Sequence, residues 1–118
     1  ELKNVSSLSR EQIKEREGEL ILKNIKESDK VILLDERGKD YTSIEWSKVM
    51  EKEMTSGTKS IVFIVGGAYG YSQKIYGRAN SLLSLSSMTF SHQIIRLFFV
   101  EQLYRAFTII KGEPYHNE

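Results

Sequence analysis

The chain contains no cysteine. That excludes disulfides, thiolate metal sites and a cysteine nucleophile, and it suits a cytoplasmic protein that folds without a covalent staple. Its two histidines, His92 and His116, lack a zinc-type spacing, so no structural metal is expected. Long apolar runs are missing too. The longest near the C-terminus, Leu97 to Val100, is bounded by Arg96 and Glu101, far short of a membrane span. No signal-peptide pattern is present. Charge of one sign does not dominate: 17 basic against 16 acidic residues leave a net +1. A surface for nucleic acid would have to come from local clustering or from two subunits combined. Neither common nucleotide fingerprint, G-x-G-x-x-G or the phosphate loop, occurs.

What is there fits one domain with one hydrophobic core in 118 residues. The chain begins at Glu1 rather than Met, and the start of the natural protein is expected to be missing. Ser9 and Gln12 have capping-box spacing, and Ile13, Leu20, Ile21 and Ile25 follow roughly on one side, predicting a helix from Arg10 to Lys26. "KVILLD" (Lys30 to Asp35) reads as a strand buried on both faces. Ser43 is placed to cap a helix carrying Trp46, Val49, Met50 and Met54, which Gly57 ends. "SIVFIV" (Ser60 to Val65) is a second buried strand and runs into the glycine cluster "GGAYG". A short helical segment is expected at Lys74 to Ala79, then a strand leaving into a loop over Leu82 to Phe90. A long helix runs from His92 to Lys111, with Gly112 and Pro114 just past its end.

Strands alternating with helices imply an α/β domain with a parallel sheet, in which ligands collect at the carboxyl ends of the strands. Three candidate loops lie there: Leu34 to Gly38, Gly66 to Gly70, and Leu85 to Phe90. The glycines suit either the close approach of a ligand or a plain tight turn. The last helix is apolar over nearly all its circumference, with Glu101, Arg105 and Thr108 as a narrow polar stripe. Such a helix must be covered on all sides, by the sheet and by a second subunit or a missing N-terminal segment. His92 could be functional or simply open a helix, and the tail "GEPYHNE" could be ordered or frayed. Lys23, Lys26, Lys30, Arg37 and Lys39 read as solvated surface.

Taken together, "EREGELIL", "VILLDERGK", "FIVGGAYG" and "LSLSSMTFSHQIIRLFFVEQLYRAFTIIKGEPYH" resemble one family, the ribosomal RNA large subunit methyltransferase H family. The similarity spans the chain from Glu1, and its most specific parts are "SMTFSHQIIR" and "EQLYRAFTIIKGEPYH". Relative to that family the opening strand and the helix after it are absent, and "ELKN" resembles the end of the second strand.

The resemblance implies a SPOUT-type α/β domain: a parallel sheet flanked by helices whose C-terminal segment threads a deep trefoil knot. It implies S-adenosylmethionine bound in the knot, with Leu34, Gly66, Leu85, Ser86, Ser87, Met88, Thr89 and Phe90 at the cofactor-contacting positions. It further implies a homodimer, with the tail of one subunit near the cofactor of the other, acting on N3 of a pseudouridine in the 23S RNA of the ribosome. Within that frame His116 is expected to accept the imide proton, Tyr115 to position it and His92 to support the loop. No metal is needed. Two departures stand out: Asn117 where a basic residue is common, and Ser91 where proline is frequent. A SPOUT enzyme with another target, such as a ribose 2′-hydroxyl of transfer RNA, and a non-catalytic cofactor-binding or dimerising module are the competing expectations.

Overall fold

The computed structural model describes residues 9–66, 70–86, 88 and 90–116. In chain order these form helix α1 (Arg10–Lys23), strand β1 (Lys30–Asp40), helix α2 (Ser43–Thr55), strand β2 (Ile61–Val65), helix α3 (Gln73–Arg78), strand β3 (Ser81–Ser84) and helix α4 (His92–Lys111). The strands make one parallel sheet in the order β2-β1-β3, and helices flank it, the α/β layering expected from the sequence.

The continuous apolar run of β1 explains its central place. Successive side chains of a strand point to opposite faces, so Val31 and Leu33 go one way and Ile32 and Leu34 the other. Val31 and Leu33 pack with Ile64 and Ile75, flanked by Ile21, Leu22 and Ile25. Ile32 and Leu34 pack with Trp46, Met50, Leu83, Phe99 and Ala106. One four-residue stretch therefore anchors both cores, each fully buried side chain contributing about 1.5–3 kcal/mol. On the second face Phe63 meets Phe99 with ring centroids 4.6 Å apart.

The end of α1, the start of α2 and the exit from β3 each have a local cause. Helix α1 stops at Lys23 rather than Lys26 because Asn24 and Asp29 bond to backbone: Asn24 Nδ2 donates to the Leu20 carbonyl, and Asp29 Oδ2 accepts from the Lys26 amide. Helix α2 is capped by Thr42, not Ser43. A capping box needs Glu or Gln three residues on, and Thr42 has Glu45 there, the two exchanging both bonds. Ser43 instead donates to Gln102 Oε1 at 2.9 Å, pinning α2 to α4. Strand β3 ends at Ser84 because its serines bond locally. Ser84 Oγ donates to the Ser86 carbonyl and Ser86 Oγ accepts from the Met88 amide, turning the chain out of the sheet.

Strand β1 is longer than expected, and its second half is displaced. Leu34 and Lys39 are both in register with Leu83, so Asp35 to Gly38 bulge out between them. The strand returns against β3 so closely that a Cβ on Gly38 would lie 2.6–2.8 Å from backbone atoms of Leu82 and Leu83. Only glycine fits.

Helix α4 has the predicted ends. Ser91 is its N-cap, accepting from the Ile94 amide, and Gly112 terminates it at φ 74°. Phe99, Ala106 and Thr108 are buried, whereas Leu97, Val100 and Tyr104 form a stripe that is 55–65% exposed in the single chain.

Candidate active site

A cavity of about 550 Å³ opens at the carboxyl ends of the strands, within the size range of roughly 300–1,000 Å³ typical of small-molecule sites. Each of the three strands contributes. Leu34 ends the straight part of β1, Val65 ends β2 and Gly66 follows it, and Leu85, Ser86, Met88 and Phe90 belong to the segment leaving β3. Helix α4 closes one side with His92 and Ile95. Of the residues singled out from the sequence, the cavity brings together Leu34, Gly66, Leu85, Ser86, Met88, Phe90 and His92. Ser87 and Thr89 lie outside the described residues, as do positions 67–69 of the glycine cluster.

Sequence reasoning missed a polar cluster on the same wall. Asp35, Arg37, Tyr71 and Tyr76 all line the cavity. In the bulge after Leu34, Asp35 Oδ1 accepts from the Arg37 amide at 2.8 Å, and Arg37 Nη2 bonds Oδ2 at 3.2 Å. Tyr76 donates its hydroxyl proton to Asp35 at 2.5 Å, and Arg37 also reaches the Tyr76 oxygen. Burial pushes the Asp35 carboxyl up, but the bonds from Arg37 and Tyr76 together outweigh it and hold the group below the usual carboxylate range. The result is a fixed anion backed by a cation at the mouth. Burial, followed by the bond to Asp35, raises the Tyr76 phenol. No spacing signals this cluster, because Tyr76 lies 41 residues from Asp35.

Tyr71 explains Gly66. Its hydroxyl lies 2.7 Å from the Leu34 carbonyl and 2.8 Å from the Ile64 carbonyl, bridging the ends of β1 and β2. A Cβ on Gly66 would meet its ring at 3.0–3.4 Å. The glycine here admits a tyrosine from below, whatever approaches from above. Burial drives the Tyr71 phenol strongly upward, so it stays a neutral donor.

The tail residues are elsewhere. Tyr115 and His116 are absent from the cavity lining of their own chain and lie along the polar stripe of α4. Glu101 Oε2 accepts from Arg105 Nη2 at 2.7 Å and from the Tyr115 hydroxyl at 3.1 Å. Arg105 sits over the Tyr115 ring, and its Nη1 lies 2.9 Å from His116 Nδ1. Tyr104 adds an edge-on ring contact with Tyr115 at 4.8 Å. The bond to Glu101, then burial, raises the Tyr115 phenol.

The cavity suits a cofactor that is part aromatic base and part charged chain. Leu34, Val65, Leu85, Met88 and Ile95 offer apolar surface, and Asp35, Glu36 and Arg37 offer charge at one end.

Comparison with known proteins places this arrangement. Residues 1–116 match a family described as "Predicted SPOUT methyltransferase". The chain is 57% identical over 118 residues to the ribosomal RNA large subunit methyltransferase H of Bacteroides fragilis, covering all of this chain and 75% of that protein. It is 57% identical to the protein of the same name from Phocaeicola vulgatus and 54% identical to that from Flavobacterium johnsoniae, with the same coverage. At that identity, over its full length and with the strand-end cavity just described, the chain belongs to the SPOUT methyltransferases, in the ribosomal RNA large subunit methyltransferase H family.

Proposed function

We propose that the chain works in the cytoplasm as an S-adenosylmethionine-dependent methyltransferase, methylating N3 of a pseudouridine in 23S RNA within the ribosome. The observation that carries this reading is the convergence of three strand-end segments on one cavity of suitable size. When bound, S-adenosylmethionine supplies an electrophilic methyl group. Leu34, Leu85, Met88 and Phe90 surround its adenine, and Gly66 and Ser86 present backbone to it; family resemblance adds Ser87 and Thr89 to the cofactor-contacting positions. His92, at the first turn of α4, supports that segment. No metal is required, since the task is to hold a nucleophile in line with the methyl carbon.

The working unit in this reading is a homodimer. Its support is the exposed apolar stripe Leu97, Val100 and Tyr104 on α4, beside Phe90 and Phe98. Across that interface the tail of one subunit, with Tyr115 and His116, serves the cavity of the other. The segment from β3 through α4 threads a deep trefoil knot, a reading supported by family membership.

The test is methyl transfer to ribosomes that lack the modification, with the methyl group located by mass spectrometry. Methylation at N3 of one pseudouridine is expected. A methyl on a ribose hydroxyl, or cofactor binding without any transfer, would sink the proposal.

A further inference from the structure

The tail raises a question that the fold leaves open: what His116 does. A pyrimidine imide nitrogen carries a proton, and once it is lost the negative charge spreads over N3 and the two flanking carbonyl oxygens. A side chain can help by taking the proton or by donating a hydrogen bond to one of those oxygens. The contacts of His116 choose between the two.

Arginine has five N–H donors and no acceptor. With Arg105 Nη1 at 2.9 Å from Nδ1 of His116, the imidazole nitrogen must be the acceptor in that bond. An unprotonated Nδ1 places the ring hydrogen on Nε2. Arg105 is itself held: Glu101 Oε2 takes its Nη2 at 2.7 Å, directing Nη1 at the ring, and the same oxygen receives the Tyr115 hydroxyl. The guanidinium lies over the Tyr115 ring, 4.9 Å from its centroid.

We infer that Glu101 and Arg105 are positioning residues that fix His116 as an Nε2–H hydrogen-bond donor, in place of the proton-acceptor role expected from the sequence. This rests on the proposed function, in which the tail serves the partner's cavity. There the donor binds one imide carbonyl oxygen and stabilises the charge as the N3 proton leaves to water. Accepting that proton on Nε2 would require the opposite tautomer, with Nδ1–H facing a guanidinium that can only donate.

Two measurements test this. The first needs no turnover: in ¹⁵N-histidine-labelled dimer, long-range ¹H–¹⁵N spectra should show the His116 hydrogen on Nε2. The Arg105→Lys protein should keep that tautomer, and Arg105→Met should weaken the preference and raise the share of the Nδ1–H form. The second is transfer to ribosomes by His116→Gln, whose amide donates but cannot take a proton. It should retain activity within roughly tenfold of the parent, while His116→Ala falls by about 10²–10³. A hydrogen found on Nδ1, or a Gln variant as inactive as the Ala variant, overturns the inference. Should the unaltered protein fail to methylate N3, the proposed function falls, and the tautomer measurement still decides what Arg105 does to His116.

Discussion

Asp35 shows how much one side chain settles at this site. Its carboxylate binds the Arg37 amide, the Arg37 guanidinium and the Tyr76 hydroxyl at once, which is what holds the bulge in β1 open toward the cavity. A carboxyl whose folded pKa is lowered adds stability above its unfolded value, and that stability is lost as pH falls through the folded one. Denaturation midpoints should therefore drop steeply below about pH 4, and Asp35→Asn should flatten that limb while lowering the midpoint at pH 7. Gly38 is the steric counterpart. Gly38→Ala places a methyl against the backbone of Leu82 and Leu83, and urea unfolding should show a loss on the order of 2 kcal/mol, with weaker cofactor binding as the bulge shifts. The candidate residues Leu34, Gly66, Leu85, Ser86, Met88 and Phe90 were legible in the sequence because strand ends and resemblance both mark them. Asp35, Tyr71 and Tyr76 were not, since their partners lie far along the chain or on the backbone of another strand.

At the scale of elements, periodicity found the three strands and four helices of the described residues and both ends of α4, but not every other edge. Helix ends are decided by which side chain reaches which orphan amide, and neighbouring candidates look alike until that geometry exists. Thr42 and Ser43 illustrate the point. Thr42→Ala removes a capping-box acceptor and should cost about 1 kcal/mol in urea unfolding. Ser43→Ala removes only the bond to Gln102 and should cost less. Helix α4 was read from the sequence as apolar over nearly all its circumference, and Leu97, Val100 and Tyr104 are exposed on it in the single chain. Leu97→Lys with Val100→Glu should leave the thermal stability of the subunit close to unchanged, because both side chains are exposed. Sedimentation should find the pair monomeric, and transfer to ribosomes should cease. A dimer that survives both changes would place the subunit contact elsewhere.

For the whole molecule the decisive question is where each tail works, and topology of that kind leaves no trace in hydrophobic spacing. Co-expressing a subunit with a spoiled cavity, Leu34→Arg, and one with a spoiled tail, His116→Ala, offers a direct answer. If tails serve the partner, random pairing gives half heterodimers, each with one intact site of two. About a quarter of the parent activity then returns, where each variant alone has little. If tails served their own cavity, no pairing would restore activity. The sequence indicated the sheet packed on both faces. It was silent on the docking of the tail against Glu101 and Arg105, because a contact between a helix stripe and a chain end has no periodic signature.

Tyr71 has one hydroxyl hydrogen and two carbonyl neighbours, those of Leu34 and Ile64. Its phenol is in effect a strain gauge soldered across the floor of the cavity. Any occupant that pulls on the Leu34 carbonyl must tilt that hydrogen toward Ile64, and the phenolic C–O vibration or the slowly exchanging hydroxyl resonance would register the tilt without an added label.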